Sequence, residues 1–118
     1  MKILLCDDHK FYSKEVLEKL TEDGHVVSYA SNFKEAESII GSQKKFDAAI
    51  LDVILQNGKT GLHLAEKYKS NLGRIMFVTG CTDETTLKLL RGIYACASKA
   101  VSVIEPIDEF VAGGNPQI

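Results

Sequence analysis

A chain of 118 residues has room for one core, and the expectation is a single domain over residues 1–118. Hydrophobic residues make up 45% of it, enough to bury a core and too many for a disordered segment. The formal net charge of −2 excludes the basic footprint of a domain that binds nucleic acid directly.

Five short strand-like runs alternate with helix-like segments. The first strand is read at Ile3–Cys6 and the first helix at about Tyr12 to Asp23, where Tyr12, Val16 and Leu20 recur every four residues before the stop at Gly24. The second strand is read at Val26–Tyr29. A second helix follows Asn32, with Glu35 three residues on as a capping box; Ala36, Ile39 and Ile40 form its inner face and Gly41 ends it. The third strand is read at Ala48–Leu51, and the third helix at Gly61 to Lys69 with Leu62, Ala65 and Tyr68 inward. The fourth strand is read at Ile75–Val78. A further helix follows Thr82 or Asp83, with Leu87, Leu90 and Ile93 or Tyr94 on its apolar side. The fifth strand is read at Val101–Ile104. After Pro106 only Ile107 to Ala112 is left for a helix of two turns at most, before Gly113-Gly114-Asn115-Pro116 breaks it. The last helix is therefore stunted, or the chain is a piece of something longer.

Most of the strand runs are continuously apolar, as in strands covered on both faces, and the alternation of strand and helix implies a parallel sheet. The fold class expected is α/β: doubly wound, five parallel strands, helices on both faces and a short last helix. Two of the runs end on carboxylates. Lys2-Ile3-Leu4-Leu5-Cys6 leads into Asp7-Asp8, and Ala48-Ala49-Ile50-Leu51 leads into Asp52. Ligands of open parallel sheets bind at the carboxyl ends of the strands, so neighbouring first and third strands would gather Asp7, Asp8 and Asp52. Like charges repel, and three carboxylates in a small pocket call for a cation between them. An oxygen-only cluster that keeps water favours Mg²⁺.

With these residues the chain resembles the receiver domains of two-component response regulators over most of its length. That resemblance implies the strand order 2-1-3-4-5. Asp7 and Asp8 match the family's acidic pair and Asp52 its phosphoacceptor. Thr79, in Met76-Phe77-Val78-Thr79-Gly80, matches the hydroxyl residue that ends the fourth strand. Gly61 matches the glycine after the third strand, and Pro106 the proline of the fifth loop. By the same resemblance, Mg²⁺ is held by Asp7, Asp8, Asp52 and the backbone carbonyl of Ile54. Asp52 takes a phosphoryl group as an acyl phosphate, and Thr79 donates its hydroxyl to a phosphoryl oxygen.

The family's lysine just before the fifth-loop proline pairs with the phosphoryl group. With Pro106 setting the register, its place is taken by Glu105, and the aromatic switch residue three positions earlier by Ser102; Lys99 stands six residues before Glu105. The stretch leading into the fifth strand reads Cys96-Ala97-Ser98-Lys99, and Gln56 stands where proline often follows the third strand. The implied function is a phosphorelay receiver with an altered switch. The alternative is a pseudo-receiver, an interaction module that signals without phosphorylation. An aspartyl-nucleophile phosphohydrolase would need a second aspartate two residues past the nucleophile, where this chain has Ile54, so the expectation is that the chain is not an enzyme.

The expected partner is a sensor histidine kinase or phosphotransfer protein. The short last helix adds the expectation of a homodimer through the face around the fifth strand. His9, His25 and His63 share no spacing and are expected to be surface or helix-face residues. Cys6, Cys81 and Cys96 lack metal-ligand spacing; Cys6 is expected in the core and Cys81 in a loop near the pocket. An odd thiol count with no signal-like leader points to the cytoplasm, and no apolar run is long enough to span a bilayer.

Overall fold

Alternation along buried strands sends neighbouring side chains to opposite layers, and this organises the whole molecule. The computed structural model describes residues 1–53, 61–80, 90, 92–98 and 103–117. Its elements run in the order β1 (Lys2–Cys6), α1 (Lys10–Glu22), β2 (Val26–Ala30), α2 (Phe33–Gln43), β3 (Ala48–Asp52), α3 (Gly61–Lys67), a single helical turn α4 (Lys69–Leu72), β4 (Arg74–Thr79), β5 (Ala95–Ser98) and α5 (Ile104–Val111). The strands form one sheet in the order β2-β1-β3-β4-β5, and all four pairings are parallel.

The core divides by strand face. Leu4, Cys6, Ala49, Leu51, Ile75, Phe77 and Cys96 pack with Ala36 and Ile40 of α2 and Leu64 and Ala65 of α3. Ile3, Leu5, Ala48, Ile50, Met76, Val78, Ala95 and Ala97 pack with Val16 and Leu20 of α1 and Ile107 and Phe110 of α5. Helices therefore cover both faces, which is why β3 is buried at every position and shows no polar alternation. The Phe77 and Tyr94 rings meet edge to face at 84°, with centroids 4.9 Å apart.

Local chemistry sets the boundaries. Asn32 caps α2 by accepting the Glu35 N–H at 2.8 Å. The Glu35 carboxylate reaches back to the N–H of Ser31 at 2.8 Å rather than to Asn32 itself, so the capping box closes one residue early. Gly41 does not end α2. The helix runs on to Gln43 and stops where Lys44 turns to φ +67, with its N–H on Ile40 O. α3 stops at Lys67, two residues before its expected end, and Leu64 joins Ala65 as its buried face while Leu62 and Tyr68 are only partly buried.

The fifth strand corrects the sequence reading. It lies at Ala95–Ser98, in register Met76↔Ala95 to Thr79↔Ser98, and not at Val101–Ile104. Ile104 already belongs to α5. Gly92, at φ +80, turns the chain into the strand, a conformation glycine adopts without steric cost. Pro106 falls in the first turn of α5, where no intrahelical partner for an N–H is required. The eight residues of α5 keep it near two turns, as expected. The segment after it folds back, and Cys96 N–H donates to Pro116 O at 2.8 Å, covering part of the outer edge of β5. Gln117 adds bonds to Gly92 N–H and Tyr94 O, each at 3.0 Å.

The expected helix after Thr82 or Asp83 falls mostly outside the described residues. Of its apolar positions Leu90 is helical and buried, whereas Ile93 is exposed. Ile54, Gln56, Cys81, Lys99 and Ser102 also lie outside the described residues.

Candidate metal and phosphoacceptor site

The sheet reverses its winding at β1: the chain goes from β1 outward to β2, then returns to place β3 on the other side. The crevice at the carboxyl ends of β1 and β3 is the position where open α/β sheets bind ligands. Asp52 is the last residue of β3, and Asp7 and Asp8 follow the last residue of β1, so the fold brings all three together. Asp7 is 1% exposed and Asp52 3%. Thr79 ends β4, also buried, one residue past Val78, the register partner of Asp52.

Backbone contacts hold the acidic residues in place. Asp7 N–H donates to Ala30 O at 3.1 Å, continuing the β1–β2 ladder, and the Tyr29 hydroxyl donates to Asp7 O at 2.7 Å. Asp7 Oδ1 accepts the His9 N–H at 2.8 Å. This is an Asx-type turn at the start of α1, whose N-cap is His9. Asp7 thus helps to start the helix and still presents its carboxylate to the crevice.

His9 was not singled out by sequence reasoning, and the structure brings it into the cluster. Its Nδ1 lies 3.3 Å from Asp7 Oδ1, 3.1 Å from Asp8 Oδ1 and 3.6 Å from Asp52 Oδ2. One ligand atom from each of Asp7, Asp8, His9 and Asp52 can be chosen so that all four lie within 4.8 Å of one another. Asp8 Oδ1 is buried and, among the described residues, has the His9 Nδ1 contact but no hydrogen bond. A carboxylate oxygen held this way, beside two further carboxylates, suits a hard divalent cation. His25, by contrast, is far along the chain at the start of β2, where its Nδ1 meets the terminal amine of Met1 at 3.0 Å.

The negative field of the cluster is visible in its neighbours. Burial, reinforced by the charges of Asp7, Asp52, Asp8 and Glu35, pushes the Cys6 thiol up to about 12 from its ordinary 9.0. Burial, with Asp7, Glu15 and Asp52 adding to it, also raises the Tyr12 hydroxyl. Cys6 is a packed core thiol, as expected, and not a nucleophile.

Gly61 closes the site from the other side. A Cβ there would lie 2.0 Å from Asp52 O and 3.3 Å from Leu51 Cβ, so only glycine lets the start of α3 approach the backbone of the acidic residue. Its N–H donates to Val53 O at 2.9 Å and fixes that approach.

A profile of the response regulator receiver domain matches residues 3–104. The chain belongs to this family. Among solved structures, a two-component response regulator from Clostridium difficile is 25% identical with a TM-score of 0.80, over 95% of this chain and 93% of that one. A response regulator from Burkholderia pseudomallei, solved with a phosphorylated aspartic acid, a calcium ion and citrate, is 26% identical with a TM-score of 0.77. That match spans 92% of this chain but only 64% of the Burkholderia chain. A chemotaxis protein from Vibrio cholerae, 22% identical with a TM-score of 0.73, shares the fold over 94% of this receiver and 95% of its own chain. The comparison with curated proteins gave no match. Among the described residues no helix is long and apolar enough to cross a membrane.

The receiver's Glu105 does not stand where the sequence reading put it. It is exposed, in the first turn of α5, and the match to the family ends one residue before it. The residue that follows the carboxyl end of β5 is Lys99, one position beyond Ser98, the register partner of Thr79. Pro106 gave a false register because it lies in the first turn of α5 rather than following a strand. Ser102, counted back from Glu105, loses its assignment with it.

Proposed function

We propose that this receiver works in a two-component phosphorelay by accepting a phosphoryl group on Asp52 from a histidine kinase or phosphotransfer protein. The observation that carries the proposal is the convergence of Asp7, Asp8 and Asp52 at the switch point of the sheet, with Thr79 ending the adjacent strand. Asp52 is the nucleophile: a carboxylate oxygen attacks phosphorus, the bond to the donor breaks, and an acyl phosphate forms. Asp7, Asp8 and Asp52, with the Ile54 carbonyl as a further ligand, would hold Mg²⁺, which supplies neutralisation of charge on the phosphoryl oxygens. The Thr79 hydroxyl donates to one phosphoryl oxygen and so couples the group to β4. The Burkholderia relative with its phosphorylated aspartic acid and calcium ion supports both halves of this reading.

In this proposal Lys99 holds the position first assigned to Glu105, and its ammonium pairs with the phosphoryl group. The alternative, a pseudo-receiver that signals without phosphorylation, is separated from this reading by Mg²⁺-dependent phosphorylation of Asp52. The role is that of a phosphorylated switch rather than an enzyme turning over a substrate. Self-association through the face around β5, where Ile93 is 71% exposed, is part of the proposal and is read by light scattering over a concentration series. The function itself is tested by intact-mass spectrometry after incubation with acetyl phosphate. One added phosphoryl group is expected with Mg²⁺, none without it, and none in Asp52→Asn. An equal gain in Asp52→Asn overturns the assignment.

A further inference from the structure

The geometry points to His9 as a nitrogen ligand of the metal site, which would give this receiver a preference for first-row transition cations over Mg²⁺. The inference rests on the proposed metal site and concerns which cation that site selects.

Three observations carry it. His9 Nδ1 is 3.1, 3.3 and 3.6 Å from one oxygen each of Asp8, Asp7 and Asp52. Neighbouring ligands of an octahedral ion with bonds of about 2.1 Å are separated by about 3.0 Å, and opposite ligands by about 4.2 Å. The three spacings lie at or just above the neighbouring-ligand value, and the 4.8 Å limit on the whole set is close to the opposite-ligand value. One cation therefore fits among the four side chains after shifts of about 0.6 Å at the widest spacings.

The second observation is how His9 is held. It is the N-cap of α1, its own N–H is taken by Asp7 Oδ1, and its C=O accepts from Ser13 N–H and from the Ser13 hydroxyl, both at 2.9 Å. Backbone and helix start therefore fix the position from which the ring reaches the carboxylates. The third is access: the His9 side chain is 66% exposed while Asp7 and Asp52 are buried. The imidazole is the exposed member of the set, on the solvent side of the buried carboxylates.

Ligand chemistry then decides the selectivity. Oxygen-only sites suit Mg²⁺, which dehydrates reluctantly and gains little from imidazole. Imidazole favours later first-row ions, whose affinities climb from Mn²⁺ to a maximum at Cu²⁺ and stay above Mn²⁺ at Zn²⁺. With His9 in the set, Mn²⁺, Co²⁺ and Zn²⁺ gain a bond that Mg²⁺ does not use.

The test uses Mn²⁺ as a spectroscopic probe on the full chain, with histidine labelled by ¹⁵N in a parallel sample. Electron spin-echo modulation of bound Mn²⁺ should show a directly coordinated histidine nitrogen in wild type and none in His9→Ala. Titrations should show His9→Ala losing at least about tenfold in Mn²⁺ affinity, the scale lost even when an outer partner of a ligand is removed. Mg²⁺ affinity should change by less than about threefold. The wild-type modulation needs no variant, so the inference stays testable if His9→Ala folds poorly. Mn²⁺ bound without histidine nitrogen overturns the role of His9 and leaves the carboxylate site standing. Failure of wild type to bind either Mn²⁺ or Mg²⁺ overturns the metal site and this inference together.

Discussion

Gly61→Ala puts the contact between α3 and the phosphoacceptor strand under direct strain. The new Cβ would sit 2.0 Å from Asp52 O, where ordinary contact begins near 3.4 Å, so the two must part by about 1.4 Å. The atom in the way is a backbone carbonyl and cannot rotate aside. Separation is resisted from both ends: Gly61 N–H is bonded to Val53 O at 2.9 Å, and Asp52 is in the central sheet, paired along β4. Overpacking of this kind costs about 2 kcal/mol, which for a domain of this size lowers the melting temperature by roughly 8 °C. Because the displaced group carries the nucleophile, misplacement by about 1 Å should slow phosphorylation on the order of a hundredfold. Urea unfolding and a time course of intact mass with acetyl phosphate read the two effects. Gly41→Ala is the control, since nothing lies within 4 Å of its Cβ and it sits inside α2. It should keep the wild-type rate and gain up to about 1 kcal/mol. A Gly61→Ala protein with the wild-type urea midpoint and rate would refute the reasoning.

Asp8→Asn removes a charge from a hard-cation site and should abolish Mg²⁺ binding in NMR titrations; unchanged affinity would count against the site. With a beryllofluoride phosphate mimic, Lys99→Ala should shrink the shifts at Thr79, while Glu105→Lys should leave them as in wild type. Enlarged shifts in Glu105→Lys would restore the first assignment. Arg74 Nη1 donates to Phe110 O at 2.5 Å and its guanidinium lies 4.4 Å from the Phe110 ring centroid, so Arg74→Ala should cost about 2 kcal/mol in urea unfolding, most of it retained as a loss in Arg74→Lys. The Cys6 thiol is raised in the folded state, so its contribution to stability is present below the unfolded thiol's value near 9.0 and is lost as pH rises towards about 12. Stability of Cys6→Ala relative to wild type should therefore improve on going from neutral to strongly alkaline pH, and a pH-independent difference would show the shift to be absent.

β1, β3 and β4 were legible because each is an apolar run ending at a polar residue, with helices on both faces leaving no reason for polar alternation, and β2 was legible from its β-branched and aromatic Val26, Val27 and Tyr29. β5 was missed because its residues are small. Ala95 and Ala97 lie under Ile107 and Phe110 of α5, and Cys96 lies with Phe77 and the partly buried Tyr94 on the other face, so bulk comes from the neighbours and not from the strand. Val101 to Ile104 has the β-branched composition that the strand lacks, and it drew the assignment. The error then propagated to Glu105 and Ser102 through Pro106, which reads equally well as a proline after a strand or inside the first turn of a helix. Gly92 was the signal that could have fixed the register, since a glycine at positive φ three residues before Ala95 starts the strand.

The acidic triad was legible for a topological reason: strands that end on carboxylates share a crevice in a parallel sheet. The contribution of His9 was not, because a lone histidine acquires a role only through the 3.1–3.6 Å distances that the fold creates. Likewise, Gly61 could be matched in sequence, but the physical need for it became visible only in the 2.0 Å approach to Asp52.

The central claim is that Asp52 carries the phosphoryl group, and borohydride trapping tests it most directly. Borohydride reduces an acyl phosphate to the alcohol, converting a phosphorylated aspartate to homoserine at its own position. After incubation with Mg²⁺ and acetyl phosphate, peptide mass spectrometry should find homoserine at position 52 and at no other aspartate. Homoserine at position 7 or 8, or its absence from a protein that binds Mg²⁺, would contradict the account.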